Sequence, residues 1–118
     1  MTFSRKGEDE GLQYIVTDEL AIATASKERV FEQLRKIAKT ADHESGVESC
    51  WVLDREVDKM DSEIVANNVY VFLRFQAKAA YELYKNTTSR VEWEAIDQLT
   101  IGRRTTTWEE AGIGFLGR

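Results

Sequence analysis

The sequence predicts an α+β fold of the ferredoxin-like kind, a four-stranded antiparallel sheet with two helices on one face in the order β-α-β-β-α-β. Three observations predict it. A long amphipathic helix pattern follows the first apolar segment. A run with two apolar faces stands past the middle of the chain, and an interrupted helical pattern precedes a closing alternating segment. At 118 residues there is room for one domain and one modest core.

Residues 1–11 are polar, contain Gly7 and Gly11, and read as a flexible tail outside a domain of residues 12–108. A first extended segment runs from Leu12 to Thr24, clearest at Leu20-Ala21-Ile22-Ala23, with Asp18–Glu19 expected to interrupt it by a turn or a bulge. Ser26 reads as a helix N-cap, with Glu28 in the first turn where the helix dipole favours an anion. Val30, Phe31, Leu34, Ile37, Ala38 and Ala41 then recur at helical spacing. The helix is expected to end near Asp42, with Gly46 making the turn.

Val47 to Val57 reads as the second strand, and Ile64 to Phe75 as the third and strongest. In the latter, Val69, Val71, Leu73 and Phe75 point one way while Tyr70 and Phe72 point the other. Two helices cover one face of such a sheet, so the second apolar face calls for a partner, and a homodimer through that open face is expected. A second helix spans Ala77 to Lys85 and breaks near Asn86–Thr88; Ser89-Arg90-Val91-Glu92 is a capping-box pattern that starts a new helix carrying Val91, Trp93 and Ile96. The last strand is expected over Leu99 to Trp108. A tail of residues 109–118, with Ile113, Phe115 and Leu116 between glycines, is expected to dock on the neighbouring subunit.

Composition excludes several function classes. The net charge is -5 and no face carries a surplus of Lys and Arg, which argues against a nucleic-acid partner. The single cysteine, Cys50, cannot form an internal disulfide, and with His43 as the only other soft ligand a thiolate-rich zinc site is excluded. No stretch has the length and apolarity of a signal peptide or a membrane span, so no membrane partner is expected and the cytoplasm is the expected compartment. Glycine-rich phosphate loops and nucleophile elbows are absent from the sequence.

The segments Leu20–Leu53 and Val69–Ile96, within a likeness that covers Glu19 to Trp108, resemble the antibiotic-biosynthesis-monooxygenase group of the dimeric α/β-barrel proteins. The shared pattern is a first strand, a long amphipathic helix closing in a Gly-containing turn, a third strand ending in an aromatic residue, and a broken second helix. The resemblance implies a homodimer whose sheets pack face to face, with one pocket per subunit between sheet and helices. It also implies cofactor-independent chemistry, with no cofactor or metal, on a small aromatic or polyketide-like ligand. Phe75 stands where the group has a tryptophan, Val71 where several of its oxygenases have an asparagine, and Tyr81 keeps the group's tyrosine. Where haem-degrading members place an iron-ligating histidine this chain reads Thr87-Thr88-Ser89-Arg90, so haem degradation is not implied.

Tyr81 and Arg90 are the candidate catalytic residues. The Tyr81 phenol either orients a substrate carbonyl and steadies developing enolate charge or packs as a half-buried helix tyrosine. Arg90 either holds an anionic or phenolate group at the pocket mouth or is a solvated helix residue. Val71, Leu73, Phe75, Tyr84 and Trp93 are candidate substrate-binding walls, since a flat carbon-rich substrate requires aromatic and apolar surfaces; a core requires them equally. Trp51 and Trp108 suit a dimer interface as well as a core. His43 lies in a polar loop and reads as exposed, and Cys50 as a small buried apolar residue. Three functions remain open: a monooxygenase-like enzyme of secondary metabolism, a non-redox cyclase, isomerase or dehydratase using the same pocket, and a dimeric binding or assembly module.

Overall fold

The computed structural model describes residues 13–44, 46–55, 68–87 and 89–114. Among these residues four strands and three α-helices follow one another: β1 Tyr14–Ala21, α1 Lys27–Asp42, β2 Val47–Asp54, β3 Val69–Phe75, α2 Lys78–Tyr84, α3 Ser89–Leu99 and β4 Gly102–Glu109. The strands form one antiparallel sheet in the order β2-β3-β1-β4, so the two central strands are β1 and β3. The architecture is the predicted α+β, ferredoxin-like one. The expected tail at 1–11, the beginning of the third strand at 64–67 and the residues Phe115 and Leu116 lie outside the described residues.

Strand alternation decides which side chains reach the core. Tyr14, Val16, Asp18 and Leu20 of β1 and Val69, Val71, Leu73 and Phe75 of β3 are buried on the helix side. Against them α1 lays Val30, Leu34, Ile37 and Ala41, positions at the 3.6-residue spacing of one helical face. Burying each large apolar side chain of this set contributes about 1.5–3 kcal/mol. Cys50 and Val52 of β2 pack on the edge of this core, and burial raises the Cys50 thiol above its ordinary value, as befits a small apolar residue.

Several local expectations are corrected. Asp18–Glu19 does not interrupt β1; the strand is continuous and Asp18 takes an inward place in its alternation. Ser26 makes no side-chain cap, because Thr24–Ser26 form a 3-10 turn that winds directly into α1. Val91 is exposed, and of the apolar positions on α3 Trp93 and Ile96 are the buried ones. Leu99 ends α3, and β4 begins only at Gly102. The Ser89 hydroxyl donates to the Tyr84 carbonyl at 2.5 Å, and Glu92 accepts from Thr40 Oγ1 at 2.9 Å, so the capping-box residues tie α3 to α2 and α1.

Gly46 holds a backbone that other residues disfavour, with φ +89°. Its carbonyl accepts from the Gln76 N–H at 2.9 Å, which fastens the α1–β2 turn to the end of β3. Among the described residues no helix lies on the opposite face of the sheet. Along it Trp51 sits beside Phe72, Leu53 beside Tyr70, and Ile15 beside Trp108 in register. Trp51, Leu53, Tyr70 and Trp108 are 65%, 57%, 39% and 53% exposed there.

Candidate functional site

A cavity of about 410 Å³ lies between the helix-side face of β1, β3 and β4 and the α2–α3 pair. Val16 and Leu73 form its apolar floor; Tyr81 and Tyr84 of α2 and Trp93 of α3 stand around it. Asp18 and Arg103 supply charge from the sheet, and Lys85, Arg90, Glu94 and Asp97 supply it from the helices. The break between α2 and α3 creates this space, because α3 restarts at an offset and packs on α1 while α2 stays over the end of β3.

Asp18 is 3% exposed. Its Oδ1 accepts from Arg103 Nη1 at 2.9 Å and from the Thr105 hydroxyl. Among the described residues no donor reaches Oδ2. Burial pushes the carboxyl above the ordinary aspartate range; the Thr105 hydrogen bond and the Arg103 charge offset only part of that. Arg103 also donates from Nε and Nη2 to Asp97 at 2.6 and 3.1 Å, and its guanidinium lies 5.0 Å from the Trp93 ring centroid. Burial works against the Arg103 charge, but the Asp97 hydrogen bond and the two carboxylate charges outweigh it, and Arg103 stays cationic.

Tyr84 is buried, and its hydroxyl accepts from Trp93 Nε1 at 3.1 Å. Burial pushes the phenol up to about 12, so it remains a protonated donor near neutrality. Tyr81 is half-buried, 5.3 Å from the Phe75 ring and 5.7 Å from the Tyr14 ring between centroids. Its phenol is also raised by burial, partly offset by Lys85, whose ammonium lies 5.1 Å from the ring. Arg90 is exposed at the rim and pairs with Glu94 at 3.5 Å.

Of the residues singled out from sequence, Leu73, Tyr81, Tyr84, Arg90 and Trp93 are brought together around the cavity. Val71 and Phe75 do not reach it: they are fully buried in the core, the Phe75 ring packed at a tilt against Tyr81 and Tyr84. His43 is exposed at the C-terminus of α1, away from the cavity. Asp18, Arg103 and Thr105 were not anticipated. The signal for them was the alternation Tyr14-Val16-Asp18-Leu20, which puts an acid where a core residue is due, and the inward parity of Arg103 and Thr105 on β4. Among the described residues no group of His, Cys, Asp and Glu side chains converges in a metal-binding arrangement.

No family model matches the chain, and no curated protein matches it. Solved structures do. An antibiotic biosynthesis monooxygenase, so named by assignment, from Deinococcus radiodurans superposes with a TM-score of 0.67 at 16% identity, over 88% of this chain and 99% of that one. A protein of the same assigned name from Bacteroides thetaiotaomicron gives 0.67 at 14% identity over 90% and 96%. One from Nitrosomonas europaea gives 0.64 at 14% identity over 80% and 95%. The chain therefore has the fold of the antibiotic-biosynthesis-monooxygenase structures, as its sequence pattern implied.

Proposed function

We propose that this chain is a cofactor-independent, monooxygenase-like enzyme of secondary metabolism that binds a flat aromatic, polyketide-like substrate between sheet and helices. The observation that carries the reading is the cavity itself. Its volume of about 410 Å³ falls in the range of small-molecule sites, and Tyr81, Tyr84 and Trp93 wall it with aromatic surface. In this reading the protein binds, deprotonates and desolvates an electron-rich substrate, whose anion reduces molecular oxygen directly. An aromatic methylene becomes a carbonyl holding one oxygen atom, and the other oxygen leaves as water with both methylene hydrogens. Tyr81 steadies the oxygen of the substrate anion, and Arg90 stands at the mouth.

The working unit is a homodimer, supported by the exposed apolar face of Trp51, Leu53, Tyr70 and Trp108. Its compartment is the cytoplasm; among the described residues no helix is long and apolar enough to cross a membrane. The described part of the C-terminal tail, residues 110–114, contacts the neighbouring subunit in this reading, Ile113 being exposed in this protomer.

Oxygen uptake with anthrone as probe tests the reading. Uptake above the buffer rate, depressed by Tyr81→Phe, is expected; anthrone that neither binds nor reacts would sink it. A second reading, a non-redox isomerase, cyclase or dehydratase, is favoured by the buried Asp18 carboxyl, which can move a proton without oxygen. Turnover of an enolisable aromatic substrate under nitrogen separates the two.

A further inference from the structure

An aspartate on the core side of a central strand is costly to bury. Its inward neighbours on β1, Val16 and Leu20, are essentially inaccessible. A buried ion pair kept for stability alone is commonly matched by apolar residues of similar volume. Asp18 differs from such a pair in bordering a cavity and in the way its oxygens are used. Both protein donors, Arg103 Nη1 and the Thr105 hydroxyl, go to Oδ1, which leaves Oδ2 without a donor among the described residues.

Arg103 is fixed more tightly than holding one carboxylate requires. Asp97 takes Nε and Nη2, the Trp93 ring centroid lies 5.0 Å from the guanidinium carbon, and the remaining Nη1 donates to Asp18. The other cations lining the cavity are paired as well, Lys85 with Glu82 at 3.2 Å and Arg90 with Glu94. Among the described residues, no cation lining the cavity is without a carboxylate partner, which leaves none for a carboxylate or phosphate substituent.

We propose that Asp18 Oδ2 is the proton acceptor of this cavity, that Arg103 is its positioning residue, and that the substrate enters as a neutral carbon acid or phenol. The inference deepens the active-site reading above and rests on it. In the step, a C–H or O–H bond of the substrate breaks and its electron pair stays on the substrate as an enolate or phenolate. The proton forms an O–H bond at Oδ2 while Arg103 remains cationic at Oδ1. The total charge inside the cavity is unchanged, so a desolvated site tolerates the step. Tyr81 and the protonated Tyr84 hydroxyl line the same cavity and are the groups available to the new anion.

The test is exchange of the anthrone methylene protons with deuterated buffer under nitrogen, followed by NMR, with anthrone binding measured by calorimetry. The wild-type protein is expected to accelerate exchange, and Asp18→Asn to lose about 100-fold or more while still binding anthrone. Thr105→Val keeps the carboxylate but removes a hydrogen bond that favours its ionised form, so the midpoint of the pH–exchange profile is expected to move to higher pH. Arg103→Lys is expected to move it as well, and to lower the plateau. Exchange by Asp18→Asn at the wild-type rate, or a midpoint indifferent to Thr105→Val, overturns the assignment while leaving the site reading intact. Failure of the wild-type protein to bind anthrone overturns both.

Discussion

Arg103 Nη1 donates to Asp18 Oδ1 at 2.9 Å across the β1–β4 ladder, where Asp18 stands opposite Thr105 and Arg103 opposite Leu20. The contact is therefore diagonal, a distance a long guanidinium side chain spans and a shorter one does not. It joins the central strand β1 to the edge strand β4 on the helix-side face that borders the cavity. The cavity and the ion pair share a wall: Arg103 of β4, which holds Asp18, also reaches Asp97 and Trp93 on α3.

Asp18 has a consequence for stability that separates it from an ordinary ion-paired aspartate. Its carboxyl is raised in the folded protein from 3.8, so the folded state binds this proton more tightly than the unfolded chain does. Between the two values the folded state carries more protons, and stability falls as pH rises through that window; above it the loss is complete. Asp18→Asn removes the loss, while Arg103 keeps Asp97. The variant is expected to have a higher urea midpoint than wild type at pH 7, with the difference vanishing at pH below the window. A lower midpoint at neutral pH would mean that the ion pair stabilises the fold.

Tyr84 and Trp93 are expected to be energetically coupled. Trp93→Phe removes the indole N–H that donates to the Tyr84 hydroxyl and weakens the face under Arg103, at a cost of about 1–3 kcal/mol. Tyr84→Phe leaves the buried indole N–H without its acceptor, at a similar cost of about 1–3 kcal/mol. The double variant should lose less than the sum, by about 1 kcal/mol, in a cycle read by chemical denaturation. Strict additivity would show that the 3.1 Å contact contributes nothing.

The parts of the fold legible in the sequence are those where local pattern and tertiary role agree. The α1 stripe, the alternation of β3 and the break before Ser89 were readable because each apolar residue lands where its period puts it. Asp18 was not, because two adjacent acids in an apolar segment read as an interruption; only the register with β4, a contact between residues at opposite ends of the chain, shows that Asp18 has a partner. Phe75 and Val71 carried the opposite ambiguity. An apolar residue beside a pocket and one behind it have the same pattern, and the placement of α2 over the end of β3 decides between them.

Gly46 is expected to tolerate no side chain, for two separable reasons. Its φ of +89° costs an L-residue about 1–2 kcal/mol, and an added Cβ would lie 2.7 Å from Ala80 Cβ on α2. Gly46→Ala should therefore destabilise by more than the backbone cost alone, and Ala80→Gly in the same chain should restore only the steric part, measured against the Ala80→Gly single variant. Full restoration would show that the turn relaxes out of the left-handed region.

The open face of the sheet makes the last prediction. Trp51 and Leu53 on edge strand β2, Tyr70 on β3 and Trp108 on edge strand β4 expose apolar surface across the whole width of the sheet, with Phe72 between them. Trp108 still satisfies its indole N–H within the protomer, donating to Thr17 Oγ1 at 3.0 Å, so the ring can lie flat against a second sheet with no unpaired donor. Light scattering at micromolar concentration should give twice the mass of the 118-residue chain. Trp51→Glu and Trp108→Glu together should give the monomer mass, since a carboxylate placed in an apolar contact is either left exposed or pays its desolvation. Both side chains are more than half exposed in the protomer, so the paired substitution should leave the core and the protomer's circular dichroism unchanged. A monomeric wild-type protein would remove the two-faced strand β3 as an argument for association, and would leave the cavity on the other side of the sheet untouched.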